Sequence, residues 1–369
     1  MDELQTVAAS DESAEPASAY DAILLVSFGG PDGPGDVMPF LENVLRGRNV
    51  PRERMLEVAE HYHHFGGKSP INEQNLSLLA ALRAELSRRG PHLPVYWGNR
   101  NWHPLLTDTL REMADAGVKR AIAFVTSAFS SYSGCRQYRE NIAAASAPLG
   151  DRAPQIDKIR VFFNHPGFVG PMAANVGAAL AHFPAEVRPT VPVLFTAHSI
   201  PMSMADGCRY VPQLQESCRL VAAAAGATDW KLVYQSRSGP PTQPWLEPDI
   251  CDAIRALHAA GGRQLVIAPI GFISDHMEVL FDLDTEAADL CQELGIDMVR
   301  AATVGTAPEF VGMVCDLVAE RAWGLLDRVA IGNLPANHDV CPLDCCPAPQ
   351  RPPMPTGGPA AGRPASPAT

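Results

Sequence analysis

Two stretches of this sequence hold residues that could move protons or bind a metal ion. His198 ends the apolar run VLFTAH, where an imidazole with an ordinary pKa of about 6.5 would serve as a base or a metal ligand. A histidine with a purely structural role, whose ring nitrogens are hydrogen-bonded within the protein, is equally common at such a place. Further along, Glu278, Asp282 and Glu286 follow one another at intervals of four residues, which lines three carboxylates along one helix face. Apolar neighbours indicate that this helix is largely buried. A buried row of carboxylates predicts a path for protons or a cation, whereas a solvated row would need no such role.

Four cysteines form a second candidate site. Cys341, Cys345 and Cys346 lie in the short segment CPLDCCP, and Cys135 lies in the polar loop SSYSGCRQYREN. Three thiolates leave a tetrahedral zinc site or a 2Fe-2S cluster one ligand short, and Cys135 could supply the fourth. The spacing leaves zinc, an iron–sulfur cluster and a redox-active thiol group open. The remaining cysteines lie in helical patterns and are predicted to be small core residues: Cys208, Cys218, Cys251, Cys291 and Cys315.

A histidine-rich segment, HYHHFGGKSPIN, is a third candidate. His61 and His64 could share one helix face and bind a metal ion, although packing or exposure is the commoner role of histidines before a Gly-Gly turn. Lys68, Ser69 and Asn72 follow in a glycine-rich loop that could hold a carboxylate or phosphate. The sequence contains no phosphate-loop or dinucleotide-binding fingerprint, so the glycine-rich loop alone is weak evidence for a carboxylate or phosphate site.

Alternating strands and helices would have to position these residues. Helical patterns such as 75–88 and 104–116 separate short, near-continuous apolar runs. Apolar strands separated by helices predict an α/β fold with doubly wound parallel sheets that are covered on both faces. The predicted strands are 22–28, 94–98, 121–126, 159–163, 193–197, 231–235, 265–269 and 298–302.

A repeat indicates a duplicated architecture. ILLVSFGGP opens the first half, and VLFTAHSIP takes the same strand–loop–proline position about 170 residues later. We therefore expect two Rossmann-like domains, 20–150 and 151–335, with a ligand cleft between them beyond the carboxyl ends of the strands. Around them we expect a disordered acidic leader at 1–19, a cysteine segment at 336–346 and a disordered proline-rich tail at 347–369.

The composition limits the classes of partner. The 369 residues carry 29 Lys and Arg against 41 Asp and Glu, and the formal net charge of -12 argues against general electrostatic binding of nucleic acid. No apolar run approaches the roughly 18 residues of a membrane-spanning helix, and the acidic start does not resemble a signal peptide. We expect a cytoplasmic protein whose nine cysteines are not a disulfide framework.

Taken together, eight segments resemble the ferrochelatase family, whose members insert Fe(II) into a porphyrin. They run in family order over about residues 20–310: LLVSFGGP, FLENVLRGR, HFGGKSPIN, YWGNRNW, TSAFSSYSGCRQYREN, FTAHSIP, YQSRSGPPTQPWLEP and IAPIGFISDHMEVLFDLD. The likeness is greatest to the actinobacterial branch that acts on coproporphyrin III. It implies a chelatase-like fold with the macrocycle in the cleft between the two domains. The implied reaction converts coproporphyrin III and Fe2+ to iron-coproporphyrin in haem synthesis, with release of two pyrrole protons.

The resemblance also implies catalytic roles. His198 matches an invariant histidine, and Glu278 matches the glutamate that faces it across the porphyrin plane, so both would contact the Fe(II) substrate. Asp282 and Glu286 match the acidic residues behind that glutamate and would carry protons or metal. Phe28 stands where some relatives have a tyrosine beneath the metal, so this chain offers no phenolate ligand there.

Binding roles follow in the same way. The positions that match porphyrin contacts, or lie beside them, are Phe28, Arg46, His61, Tyr62, Ser69 and Tyr132. The positions that match the thiolate ligands of the family's 2Fe-2S cluster are Cys135, Cys341, Cys345 and Cys346.

Other functions remain as alternatives at this point. The first alternative is the same reaction on protoporphyrin IX. An acidic chain without an obvious apolar surface at the edge of the cleft favours coproporphyrin III, the substrate with four carboxylates. A porphyrin or haem carrier would not need the acidic series behind Glu278. A zinc-dependent hydrolase would use the histidines around His61, and a cobalt chelatase fits the SPIN motif and the terminal thiols poorly.

Overall fold

Strands and helices alternate along the chain, as the apolar runs predict. The computed structural model describes residues 19–47, 50–239 and 242–349. The strands are β1 Ala22–Ser27, β2 Val95–Asn99, β3 Arg120–Val125, β4 Gln155–Lys158, β5 Val193–His198, β6 Trp230–Gln235, β7 Gln264–Ala268 and β8 Asp297–Arg300. The helices are α1 Val37–Val44, α2 Arg52–His64, α3 Ile71–Arg89, α4 Leu106–Asp115, α5 Gln137–Ser146, α6 Pro166–Leu180, α7 Met202–Ala205, α8 Tyr210–Ala225, α9 Ile250–Ala259, α10 Met277–Phe281, α11 Ala288–Glu293 and α12 Pro308–Ala322. Two π-helical turns, Tyr132–Arg136 and Asp282–Ala287, precede α5 and α11.

The two halves of the chain build the same sheet twice. The first sheet has the order β2-β1-β3-β4 and the second the order β6-β5-β7-β8, with every pairing parallel. β1 and β5 therefore hold equivalent central positions, in agreement with the repeat in the sequence. The prediction of an α/β fold with two doubly wound parallel sheets is confirmed.

Both central strands are buried on both faces, which explains their unbroken apolar character. All six residues of β1 are buried. Successive side chains point to opposite faces, so Leu24 packs with α4 and α5 while Ile23 packs with α3. In the second sheet the corresponding layers are α9 and α11 on one face and α6 and α8 on the other. Each sheet thus presents only its ends to a ligand.

The fourth strand was predicted wrongly. The predicted strand at 159–163 is buried irregular backbone, and β4 is the preceding polar segment Gln155–Lys158. An edge strand exposed on one face needs few apolar residues, whereas the apolar run beyond it fills the core between the sheets. Because β4 pairs with β3, the first sheet continues past residue 150, where we expected the first domain to end. The domain limits given above stay predictions.

The last helix of the described chain returns to the first sheet. α12 packs against α3 and β3, and an ion pair of 2.8 Å joins Arg89 on α3 to Asp316 on α12. The ring of Phe310 also packs edge-on against Phe124 of β3, with centroids 6.4 Å apart. One large hydrophobic core therefore runs through both halves. In the part of the chain that the structure covers, no helix is both long and apolar enough to span a membrane.

Candidate active site

The structure brings His198 and Glu278 into contact. His198 is the last residue of β5, and Glu278 lies in the first turn of α10, which follows the loop after β7. The Nε2 atom of His198 lies 3.6 Å from Oε2 of Glu278, and the side chains are 33% and 51% exposed. A base and a carboxylate thus meet at the carboxyl end of the second sheet, where ligands bind in doubly wound folds.

The ring of His198 is held in one tautomer. Its Nδ1 atom lies at hydrogen-bonding distance from the carbonyl oxygen of Ser199, and the hydroxyl of Tyr210 donates to the His198 carbonyl oxygen at 3.1 Å. A carbonyl oxygen can only accept, so in the neutral ring Nδ1 carries the proton and Nε2 keeps its lone pair. Because Nε2 faces Glu278, the ring is set to accept a proton on the side of the carboxylate.

Gly271 lets the loop before α10 lie against β5. Its N–H donates to the carbonyl oxygen of Thr196 at 3.0 Å, and a Cβ at this position would lie 2.7 Å from Cα of Ala197. A side chain here would push away the segment that leads to Glu278. This close approach fixes the spacing between the strand that carries His198 and the helix that carries Glu278.

The acidic series lies on an interrupted helix. α10 ends after five residues, and a π-helical turn over Asp282–Ala287 separates it from α11, so the regular α-helical spacing that we expected is not present. A π-turn places one extra residue in the turn, and such turns are frequent at functional sites. Glu278 and Glu286 are exposed, whereas Asp282 is only partly exposed. The expectation of a largely buried series therefore fails for the two glutamates.

The surroundings of Asp282 strongly change the acidity of its carboxyl group. Burial raises its pKa to about 7, and the charges of Glu278 and Glu286 act in the same direction. The hydroxyl of Ser236 donates to Oδ2 of Asp282, and Nε2 of Gln235 donates to the same oxygen at 3.2 Å. These two bonds favour the ionised form and oppose part of the burial effect. A carboxyl group that titrates near neutral pH can take up and release protons under physiological conditions.

Two predicted contact residues follow strands of the first sheet at its carboxyl edge. Phe28 follows β1, where its ring packs edge-on against Phe40 at 6.3 Å and lies 5.5 Å from the guanidinium carbon of Arg100. Tyr132 opens the π-turn after β3, and its hydroxyl donates to Glu140 at 2.9 Å. Both side chains are partly exposed.

Two further predicted contacts, His61 and Tyr62, lie on α2 beside α10, and a third, Ser69, lies against the loop after β1. The ring of His61 stacks on Phe281 of α10, with centroids 3.7 Å apart and an angle of 8° between the planes. Tyr62 and Ser69 are 9% and 2% exposed. Burial, followed by the charge of Glu278, raises the pKa of Tyr62 above its ordinary value. In this conformation these two hydroxyl groups would reach a ligand only after the surrounding side chains move.

The polar residues of the glycine-rich loop are engaged within the protein. Asn72 donates to the carbonyl oxygen of Gly30 at 2.8 Å and so supports the loop after β1, while exposed Lys68 pairs with Glu73. Arg46 is exposed in the turn after α1, and its backbone N–H donates to the Asn43 carbonyl oxygen at 3.3 Å. Of these residues, Arg46 is a predicted porphyrin contact.

The histidine-rich segment does not form a metal site. The stack of His61 on Phe281 and the edge-on packing of His64 against Phe65, with centroids 4.9 Å apart, use both rings for packing. Within the described residues, one group of three potential ligand side chains lies close enough together to hold a metal ion. It consists of His338, Cys341 and Cys345. The zinc hydrolase alternative therefore loses its proposed site.

The four predicted cluster cysteines lie together. Sγ of Cys345 lies 3.6 Å from Sγ of Cys346, and the ligand atoms of His338, Cys341 and Cys345 all lie within 4.8 Å of one another. The thiols of Cys341 and Cys346 donate to Cys135 and hold its pKa below the ordinary range, while their own pKa values are raised. Thiolates are the ligands that both zinc and iron–sulfur clusters take. The donor set therefore fits a 2Fe-2S cluster, and it also fits a tetrahedral zinc ion.

Several residues of these sites were not found from the sequence. Ser236 and Gln235 lie at the end of β6, and Ser236 adopts a φ of 61°, which is uncommon for a residue other than glycine. His276 precedes α10; burial lowers its pKa, and the charge of Glu278 opposes this. Arg100 lies over the Phe28 and Tyr138 rings. The motifs contained all of these residues, but only the fold shows which of them converge.

Comparison with known proteins agrees with this geometry. The family model described as Ferrochelatase matches residues 20–322. The chain is 63% identical over 342 residues to a ferrochelatase of Rhodopirellula baltica, covering 92% of this chain and 97% of the relative. It is 55% identical over 354 residues to a coproporphyrin III ferrochelatase of Streptomyces coelicolor, covering 90% and 94%. The solved structure of SirB from Bacillus subtilis with Fe3+ has a TM-score of 0.53 at 11% identity and covers 84% of this chain and 99% of that one, which shows the fold alone.

The fold and the paired histidine and glutamate place the molecule among the chelatase-like α/β proteins. The chain belongs to the ferrochelatase family. It is accordingly a metal chelatase of the lyase class, whose substrates are a porphyrin and Fe(II) and whose reaction belongs to haem biosynthesis. An enzyme of this family is not a passive carrier, so the alternative of a porphyrin or haem carrier is excluded.

Proposed function

We propose that the porphyrin substrate is coproporphyrin III and that the product is iron-coproporphyrin. Relatives that are 55%, 53% and 52% identical carry the name coproporphyrin III ferrochelatase. The outer face of α2, beside the site, carries the exposed charged residues Arg52, Glu53, Arg54, Glu57 and Glu60 together with exposed Leu56. With two arginines against three glutamates this face does not by itself select four carboxylates, so the proposal rests on the names of these relatives.

The observation that carries the mechanism is the 3.6 Å contact between His198 Nε2 and Glu278 Oε2. Insertion of Fe(II) displaces two pyrrole protons, so the site must provide a base at the ring. Nε2 of His198 has a free lone pair in the tautomer set by Ser199, and it is the base that we assign to the pyrrole nitrogens. Glu278 supplies negative charge for the entering Fe(II), which favours oxygen and nitrogen ligands.

The macrocycle would have to separate this pair. An aromatic ring in van der Waals contact on both faces needs roughly 7 Å between the groups that flank it. The present contact is much shorter, and a cavity of about 790 Å³ lies elsewhere, between α3, β2 and α4, without either residue in its lining. Binding would therefore open the cleft and press His198 and Glu278 against the ring. Pressure from two sides bends the macrocycle and exposes its nitrogen lone pairs.

The two pyrrole protons would leave on opposite faces of the ring: His198 takes one, and Glu278 takes the other and passes it to the acidic series behind it. Asp282, with its pKa near 7, lies behind Glu278 and is electrostatically linked to Glu286, whose pKa is also raised by burial. We assign Asp282 to accept a proton from the Glu278 side and to release it toward exposed Glu286. The same carboxylates attract Fe(II) when they are ionised.

We further propose that Cys135, Cys341, Cys345 and Cys346 hold a 2Fe-2S cluster. When bound, the cluster is a redox-active group that joins the loop after β3 to the C-terminal segment. The sulfur atoms of two separate chain segments lie together, which supports the assignment. The cytoplasmic location and the lack of nucleic-acid binding stay predictions from the composition.

Anaerobic assays with Fe(II) and each of two porphyrins test the substrate. We expect kcat/KM for coproporphyrin III to exceed that for protoporphyrin IX by about tenfold or more, in line with the coproporphyrin III specificity in the names of the relatives. Equal or reversed values would overturn the choice of substrate while leaving iron insertion itself intact.

A further inference from the structure

A fifth donor belongs to the group of cysteines. Nε2 of His338 lies 3.8 Å from Sγ of Cys345, and nothing in the sequence motifs assigns a role to this histidine. A 2Fe-2S cluster takes four protein ligands, and the four cysteines already provide that number. One donor more than the cluster needs therefore lies at the site.

The spacing of these donors matches ligands of one metal ion. With metal–sulfur and metal–nitrogen bonds of about 2.3 and 2.0 Å, two ligands of a tetrahedral ion lie about 3.5–3.8 Å apart. Cys345 lies 3.8 Å from His338 Nε2 and 3.6 Å from Cys346 Sγ. A single iron could thus be reached from either Cys345 or His338 with little movement.

The backbone around His338 is anchored on both sides. Before it, Oδ1 of Asn337 accepts from Nε2 of buried Gln213 at 3.3 Å. After it, Asp339 forms an ion pair of 2.8 Å with Arg328. Gln213 also accepts from the N–H of Ser130 at 2.7 Å, in the loop that leads to Cys135. The buried side chain of Gln213 therefore fixes the positions of both segments that carry the donors.

Burial divides the five donors into two groups. Cys135 and Cys346 are 3% and 4% exposed and lie on the inner side of the site. Cys341 and Cys345 are partly exposed, and His338 is exposed. Cys345 and His338 are thus both on the solvent side of the site, where a side chain can move without disturbing the core.

We propose that His338 is an alternative ligand of the iron bound by Cys345, so that three thiolates are fixed and one ligand position is shared. The proposal rests on the cluster being present, as argued above. When the imidazole occupies the shared position, nitrogen replaces sulfur at one iron, which raises the reduction potential of such clusters.

The test uses full-length protein purified anaerobically, with iron, acid-labile sulfide, absorption and electron paramagnetic resonance as readouts. Cys345→Ala is expected to keep its iron and sulfide with altered resonance positions and a higher midpoint potential. The double variant Cys345→Ala/His338→Ala is expected to lose both. The matched control, Cys345→Ala with His92→Ala, changes an exposed histidine that is not among the cluster donors and should behave like Cys345→Ala.

Two results would overturn the shared position. Folded Cys345→Ala protein that loses iron and sulfide as completely as Cys341→Ala contradicts it, and so does a double variant with the spectrum of Cys345→Ala. Wild-type protein without iron and sulfide would instead overturn the cluster and this inference together, so the two failures are distinguishable.

A second measurement avoids dependence on the folding of Cys345→Ala. If His338 holds the position part of the time, Cys345 is intermittently free and is alkylated in the intact holoprotein faster than the other three ligands. We expect His338→Ala to slow this alkylation by about fivefold or more, as followed by mass spectrometry, because only the thiolate then occupies the iron. An unchanged rate contradicts the proposal.

Discussion

Asp282 shows how burial changes the chemistry of one residue. If it accepts protons during turnover it must be ionised, so kcat/KM should rise with pH through about 7, the value to which its pKa is raised. Asp282→Asn should lose this rise and reduce the rate by about tenfold or more at pH 8. The measurement is the pH dependence of anaerobic iron insertion by both proteins. A rise of the same shape in Asp282→Asn would assign the titration to another group.

The same residue affects stability, with a sign that can be derived. Its pKa is raised in the folded protein, so between about pH 4 and 7 the native state binds more protons than the unfolded state. Its contribution to the free energy of unfolding is therefore lost as pH rises through this range, by on the order of a few kcal/mol at most. Urea unfolding at pH 5 and pH 8 should show a smaller pH dependence for Asp282→Asn than for wild type. Asp289→Asn, at an exposed position on α11, is the control and should follow wild type.

The cysteine site gives a third prediction at the scale of single residues. Cys346→Ser should abolish the visible absorption of the cluster, because a buried ligand has no neighbouring substitute once serine replaces the thiolate. Cys208→Ser is the matched control, since Cys208 lies near the site but donates to the Met204 carbonyl oxygen at 3.2 Å, as a serine could. Loss of absorption in the control, or its persistence in Cys346→Ser, would break the assignment.

At the scale of elements, the π-helical turn determines how the carboxylates of the acidic series are placed relative to one another. Deleting Thr285 should convert Asp282–Ala287 to an ordinary α-helical turn and leave α11 with its buried face in place. The deletion should therefore preserve folding but bring Glu286 one residue closer to Asp282 in the helix and change the separation of the two carboxylates, lowering kcat with little change in porphyrin affinity. Circular dichroism, porphyrin titration and steady-state kinetics test this. Thr285→Ala, which keeps the residue count, should retain activity, and a fully active deletion variant would contradict the role of the turn.

Elements also show where sequence reasoning succeeds and where it stops. The runs that became β1 and β5 are apolar throughout, because both faces are buried, and their patterns were sufficient to locate them. β4 was misplaced because an edge strand carries few apolar residues and a more apolar run follows it. The π-turn at Asp282 leaves no periodic signal, since one inserted residue disturbs a helical pattern no more than normal variation does.

At the scale of the whole molecule, a buried ion pair ties the two halves together. Arg160, just after β4, pairs with Glu320 of α12 through two hydrogen bonds of 2.8 Å, and both residues are buried. Glu320→Ala should destabilise the protein by about 3–5 kcal/mol, because it leaves an uncompensated buried guanidinium. Glu309→Ala, at an exposed position on the same helix, should change stability by less than about 0.5 kcal/mol. Equal effects in thermal or urea unfolding would contradict the importance of this pair.

The arrangement of the whole chain was only partly predictable. The repeat of strand and loop motifs predicts two similar sheets, and the structure has them with identical strand orders. The return of α12 to the first sheet was not predicted, since an apolar helix does not reveal which sheet it will cover. For the same reason the sequence grouped the four cysteines but missed His338, whose position depends on Gln213 and Arg328.

The central claim is that His198 is the base that removes a pyrrole proton on the face of the ring opposite Glu278. Its most direct test is a single-turnover measurement of Fe(II) insertion into coproporphyrin III by His198→Ala, with porphyrin binding followed separately. We predict that porphyrin still binds and that insertion falls by about 100-fold or more, while the exposed control His92→Ala inserts iron at the wild-type rate. Insertion by His198→Ala at a rate close to wild type would contradict the claim.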